Sequence, residues 1–254
     1  MGMSSGSGGL LRGVQGAIGF LTWLPVGRSE AHWKSFAAHP WVIPIVGYVV
    51  GVIAVVPFLL PLPGPLVGAL YLLAIYLATG INHVDGLLDL ADGLATHGDA
   101  ERALAAMQDS AVGVAGVLSL GIVLVGLFAM GQTLAGLPRA AVGLVLAAEV
   151  GAKLGMVAVI ALGTATHEGL GEALSSVAGR GTLLAASILA LPAVLVTWPR
   201  PAAIATLVMG ASVGLAIVWW TQRRLGGISG DVMGATNELA RLAGLGAGVI
   251  LWTL

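Results

Sequence analysis

The sequence predicts an all-α integral membrane protein, a polytopic helical bundle of about six spans with an N-terminal interfacial helix and a short C-terminal hydrophobic segment. Three observations carry that expectation. The 254 residues are 57% hydrophobic and only 9% charged, whereas a soluble domain carries roughly a quarter of charged residues. Their mean hydropathy is +0.98. Several apolar runs, parted by prolines, approach the roughly 20 residues a helix needs to cross a hydrocarbon layer about 30 Å thick.

Taken in order, MGMSSGSGG reads as a flexible segment over positions 1–9. Leu10, Leu11, Val14, Ile18, Leu21 and Trp23 then recur three or four apart, which suits a helix lying at the membrane surface or an ordinary packed helix. No small-residue cleavage site follows, so a cleaved signal is not expected. Spans are expected at 41–60, 64–80, 112–136, 139–162, 182–198 and 202–221. Pro57, Pro61, Pro63 and Pro65 mark the first return, Pro138 another, and Pro199 with Pro201 a third, because proline cannot continue a helix ladder. The tail, 242–254, offers only 13 residues and reads as a partial, tilted or protein-packed segment. With no repeat and no linker, positions 10–254 read as a single membrane domain. Gly113, Gly116, Gly121, Gly143, Gly151 and Gly155 fall inside the spans, where small faces let helices approach closely.

A formal net charge of -1 provides no global field for nucleic acid, so lipid is the expected surroundings and a homo-oligomer is compatible with the composition. The absence of cysteine excludes disulfides, thiolate metal sites and a cysteine nucleophile. With six spans the connections alternate sides. One side receives Arg12, Arg28, Lys34, Arg102, Arg180, Arg223, Arg224 and Arg241, the other only Arg139 and Arg200. The positive-inside rule then puts the N-terminus and every substantial polar segment on the cytoplasmic face of the cell membrane.

The densest polar segment is INHVDGLLDLADG. Asp85, Asp89 and Asp92 stand at i, i+4 and i+7, so a helix aligns three carboxylates along one stripe with leucines behind them. No lysine or arginine lies among them. Such a trio suits a hard divalent cation, magnesium above all, which leaves coordination positions for the oxygens of a substrate phosphate; a solvated acidic helix is the plainer alternative. Asn82 and His83 precede the stripe, where the imidazole can bind phosphate, orient a ligand, act as a base or serve structure alone. Asp99 reads as a helix N-cap. Arg102 can neutralise a phosphate or be solvated, and Asp109 can complete a metal site or cap the next span. GGISGDVMGATNEL reads either as a phosphate cradle around Gly227, Ser229, Gly230 and Asp231 or as a glycine-rich turn entering a helix. Glu149 and Lys153, at i and i+4 inside a span, suggest a local ion pair.

These segments, with FLTWLPV near the start, ERALAAMQDSAVGVAG and HEGLG, resemble the cobalamin synthase family, the adenosylcobinamide-GDP ribazoletransferases. Two places depart from the family pattern: Trp23 stands where an arginine commonly precedes Leu-Pro, and Ala152-Lys153 where a Ser-Arg pair is usual. The resemblance implies a magnesium-dependent transfer in which a ribose hydroxyl of α-ribazole or α-ribazole phosphate attacks the phosphate on cobinamide in adenosylcobinamide-GDP, and GMP leaves. It assigns Asp85, Asp89 and Asp92 to magnesium and pyrophosphate, leaves Asp109 and Asp231 as secondary candidates, and gives the nucleophile's proton to His83 or one of the carboxylates. Other membrane transferases acting on diphosphate-linked substrates, and an ion-coupled transporter using Glu149, Lys153 and the acidic segment, are the competing readings.

Overall fold

The computed structural model describes residues 6–254, and among them it is built from α-helices and short 3₁₀ turns, with a single parallel bridge between Ala165 and Ile228. Helices α1 (Gly6–Leu21) and α2 (Glu30–Ala37) fold back on each other, tied by the Ser35 hydroxyl donating to the Gly9 carbonyl at 2.6 Å. Helix α1 already includes Gly6 to Gly9, so the flexible stretch expected over 1–9 is helical from Gly6, and residues 1–5 lie outside the described part. Leu11 and Phe20 remain exposed on its outer face while Ala17 and Leu21 are buried, so α1 is both packed and surface-facing.

The 20-residue segment Pro40–Leu59 combines α3 (Ile43–Ala54) with a 3₁₀ turn at each end, both opened by proline. Helices α4 (Gly64–Thr79) and α5 (Asn82–Ala95) qualify together as one span by length and composition, yet they bend by 98°. Gly80 makes that corner at φ 70°, a backbone conformation other residues adopt only with strain. After α6 (Ala100–Met107) come α7 (Val114–Leu134) and α8 (Pro138–Leu162), then short α9 (Leu170–Ser175). Helix α10 (Arg180–Ala190) continues as a 3₁₀ segment to Thr197, and α11 (Ala202–Arg224) and α12 (Gly230–Thr253) complete the chain. Among the described residues five segments are long and apolar enough to cross a membrane: Pro40–Leu59, α7, α8, Arg180–Thr197 and α11. The protein is a polytopic helical membrane protein.

Helix α8 is the axis. Every residue from Ala147 to Ile160 is buried, as a helix apolar nearly all round must be. Gly151 and Gly155 meet Gly210 and Gly214 of α11 at backbone distance, so the small faces expected there do join helices. Gly121, by contrast, faces open space.

The C-terminal tail differs most from expectation. It is not a 13-residue fragment but the second half of α12, 24 residues long, a length of about 36 Å. Asp231, Asn237, Glu238 and Arg241 break the apolar run in the sequence, and the last three are fully buried. At the far end Arg200 lies 4.4 Å over the Trp252 ring and donates to the Trp252 carbonyl at 3.3 Å. Helix α12 therefore runs from the end of the bundle that carries α5 to the opposite end.

Candidate active site

Helix α5, which is not among the five segments that qualify singly as spans, lies across the starts of α7 and α12, and close backbone approach fixes it there. A Cβ on Gly86 would stand 2.5 Å from the Asp231 carbonyl oxygen, and one on Gly234 would stand 3.1 Å from the Cα of His83. Glycine on both helices is what lets α5 and α12 touch, and the contact brings the acidic stripe beside Asp231. Asp89 records this crowding. Burial first, then the charges of Asp85, Asp231 and Asp92, push its carboxyl up to about 6.

The three aligned carboxylates do not act alike. Asp92 accepts from the Gly113 amide at 2.7 Å and the Gly116 amide at 2.8 Å, one through each oxygen. It caps α7, whose first amides have no partner within the helix. Gly113 and Gly116, expected to form a small helix face, make room for this carboxylate, and Gly116 also lets the Leu88 carbonyl of α5 come close. Among the described residues no three histidine or acidic side chains are grouped as a ready metal site. The stripe is thus divided between a structural cap at one end and Asp85 and Asp89 near Asp231 at the other, and none of these three carboxylates forms a salt bridge among the described residues.

His83 is buried, and its Nδ1 has no hydrogen-bond partner among the described residues. Burial first, then the positive charges of Lys153 and Arg241, hold it well below the ordinary imidazole range, so the ring is neutral. The glycine-rich segment is a turn entering a helix. Gly227 packs against the Thr164 carbonyl, and Ile228 exchanges backbone hydrogen bonds with Thr164 and Thr166. The Ser229 hydroxyl accepts from the Val232 amide as N-cap of α12 and donates to Asp231 at 3.2 Å. Gly227 and Ser229 therefore shape the turn, while Gly230 and Asp231 reach the site. Asp99 caps α6 as the sequence implies. Asp109 is exposed and accepts from the Ala111 amide, a local turn, and Arg102 is exposed on α6. Arg224, counted in the sequence only as an orienting base, donates to the carbonyls of Gly98 and Thr96 and pins the loop between α5 and α6.

Beneath His83 a charged network crosses the core. Arg241 donates to both oxygens of Glu149 and, at 2.6 Å, to Glu238; Asn237 donates to Glu238 at 2.9 Å and accepts from Lys153; Tyr76 donates to Glu238 at 3.2 Å. The pair expected between Glu149 and Lys153 is replaced by Glu149 with Arg241, and Arg241 leaves the set of surface bases used to orient the chain. Residues 149 and 241 are far apart in sequence, so only the packing of α8 on α12 makes the pairing.

A cavity of about 340 Å³ opens where α5, α8, α9 and α12 meet the α1–α2 hairpin. Asn82, His83, Asp85, Gly230 and Asp231 form its polar side; Phe36, Ile43, Met156, Ile160 and Leu174 form much of the remainder. His167, Glu168 and Glu172 are exposed and absent from this lining, and the segment contributes Leu170 and Leu174 instead. A larger cavity, about 650 Å³, lies at the opposite end around Arg139, Arg200 and Trp252 and contains no carboxylate.

The sequence matches the family described as cobalamin-5-phosphate synthase over residues 13–249. It is 45% identical to the adenosylcobinamide-GDP ribazoletransferase of Halorubrum lacusprofundi, covering 96% of this chain and 99% of the relative. The proteins of that name from Haloquadratum walsbyi and Methanocella arvoryzae are 37% and 36% identical, with coverage of 96% and 97% of this chain and 100% and 98% of theirs. No solved structure matches. A match over nearly the whole chain, together with relatives of the same length, shows that this chain belongs to the cobalamin-5-phosphate synthase family.

Proposed function

We infer that the chain is an adenosylcobinamide-GDP ribazoletransferase, joining α-ribazole or α-ribazole phosphate to adenosylcobinamide-GDP with release of GMP. In this reaction a ribose oxygen of the acceptor forms a bond to the phosphorus attached to cobinamide. The bond from that phosphorus to the oxygen of GMP breaks, and the hydroxyl proton is taken up by the enzyme. The observation that carries the reading is the contact of α5 with α12 at Gly86, because it sets Asp85 and Asp89 beside Asp231 with no salt-bridge partner among the described residues.

That donor set fits magnesium, which binds through one or two carboxylates and keeps waters or phosphate oxygens in its other positions. Asp85 and Asp231, which share one cavity, would hold it; when bound it offsets charge on the diphosphate and the departing GMP. The hydroxyl proton is assigned to Asp89, the carboxylate of the stripe that neither caps α7 nor lines the cavity, and whose carboxyl is pushed up to about 6 by burial and by the charges of Asp85, Asp231 and Asp92. His83, held neutral by burial and its cationic neighbours, is a poor proton acceptor and orients the acceptor through Nδ1. Asp92 serves the site by capping α7. The bases at the α5 end, Arg12, Arg28, Lys34, Arg102, Arg180, Arg223 and Arg224 against Arg139 and Arg200 at the other, favour a cytoplasmic active site in the cell membrane.

Purified protein incubated with adenosylcobinamide-GDP, α-ribazole and magnesium is expected to release GMP and form the cobamide, both read by mass spectrometry, and a chelator should stop both. Asp89→Asn should lower turnover by roughly 100-fold or more while the protein stays membrane-inserted. Failure of the wild-type protein to release GMP would overturn the assignment; near-normal turnover of the variant would remove Asp89 from it.

A further inference from the structure

We propose that the 340 Å³ cavity is the seat of the acceptor nucleoside, with its heteroaromatic base against the apolar wall and its ribose toward Asp85 and Asp231. The proposal rests on the ribazoletransferase reading and adds which substrate enters from which side. Size is the first argument. Pockets for small ligands run from about 300 to 1,000 Å³, and this one has room for one base with its sugar but not for a corrin ring carrying its side arms and a guanosine diphosphate. The larger substrate must approach the carboxylates from outside the cavity.

Polarity is the second. Apart from the edge formed by α5 and the start of α12, the lining is apolar, with Ile43, Phe36, Ile160, Met156 and Leu174 all buried. A flat base lacking exocyclic amino and carbonyl groups loses little on entering such a wall. Guanine would leave those groups without partners, at a cost comparable to an unmade hydrogen bond each. The cavity therefore selects against the base of the departing nucleotide.

The third argument is the distribution of specific groups. Phe20, on α1, lines the cavity while 42% exposed, and its ring packs 4.8 Å from Trp33 and 6.0 Å from Phe36. Phe20, buttressed by Trp33 and Phe36, offers a ring for stacking on one side of a base. Across the cavity stands His83, whose buried Nδ1 has no hydrogen-bond partner among the described residues and would gain one if the ring turned to a ribose hydroxyl. An apolar wall with an exposed aromatic ring at its mouth, and two carboxylates with His83 on the opposite edge, describe a nucleoside with an undecorated base, its sugar directed to the reacting phosphate.

Equilibrium dialysis of the detergent-purified protein against α-ribazole alone, without the second substrate, tests the seat directly. Saturable binding is expected, with guanosine failing to compete; no binding, or equal competition by guanosine, overturns the proposal. Phe20→Ala, at the exposed mouth, should weaken that binding about tenfold, and Met156→Trp, which fills the cavity, should abolish it. In the transferase assay Phe20→Ala should raise KM for α-ribazole and leave KM for adenosylcobinamide-GDP unchanged. If the wild-type protein makes product but Phe20→Ala raises only KM for adenosylcobinamide-GDP, the transferase reading stands and the cavity belongs to the other substrate.

Discussion

At the scale of single residues, identical side chains at helical spacing have acquired different work. Asp85, Asp89 and Asp92 are indistinguishable as a sequence pattern, yet only Asp92 has both oxygens hydrogen-bonded to the backbone of another helix. Charge-assisted bonds to first-turn amides also place a negative group at the positive end of the α7 dipole. Asp92→Ala should therefore destabilise the protein by about 1–3 kcal/mol, measured by thermal unfolding in detergent. Asp92→Asn keeps one carbonyl acceptor and should recover part of the loss. If both variants unfold like the wild-type protein while turnover collapses, the carboxylate is needed for chemistry instead of capping.

At the scale of elements, the site depends on α5 meeting α12, and the meeting depends on a missing side chain. A methyl group at position 86 would stand 2.5 Å from a carbonyl oxygen and 2.7 Å from a Cα of Asp231, both backbone atoms that cannot rotate away. Gly86→Ala should force the helices apart and lower turnover by about tenfold or more, since small displacements of reacting groups carry large rate penalties; unchanged turnover would show that the approach is unnecessary. This contact also marks the limit of what the sequence reveals. The α5 helix, its aligned carboxylates and the proline joints are local features, legible from spacing. The partner of the stripe is not, because Asp231 is 146 positions from Asp85 and reaches it only through packing. The full extent of α12 was hidden for a related reason: hydropathy counts Asn237, Glu238 and Arg241 against a span, while the fold pairs them internally. The aromatic wall from Phe20 and Phe36 likewise arises only when the α1–α2 hairpin covers the bundle end.

At the scale of the whole molecule, the same charges that conceal α12 in the sequence bind it to the axis of the bundle. Glu149 and Lys153 come from α8, Glu238 and Arg241 from α12, so two acidic and two basic side chains meet in a region where isolated charge is costly. Their worth lies in completeness. Arg241→Met would leave Glu149 and Glu238 facing a single lysine, and should destabilise the protein by about 3–5 kcal/mol, the usual penalty for breaking a buried pair from one side. Arg241→Met combined with Glu149→Gln removes one charge of each sign and leaves Glu238 balanced by Lys153. The double variant should therefore be more stable than the Arg241→Met single variant, although it carries more changes. Unfolding in detergent of the wild-type protein, both single variants and the double variant closes the cycle. Additive losses would mean that the charges act independently of one another.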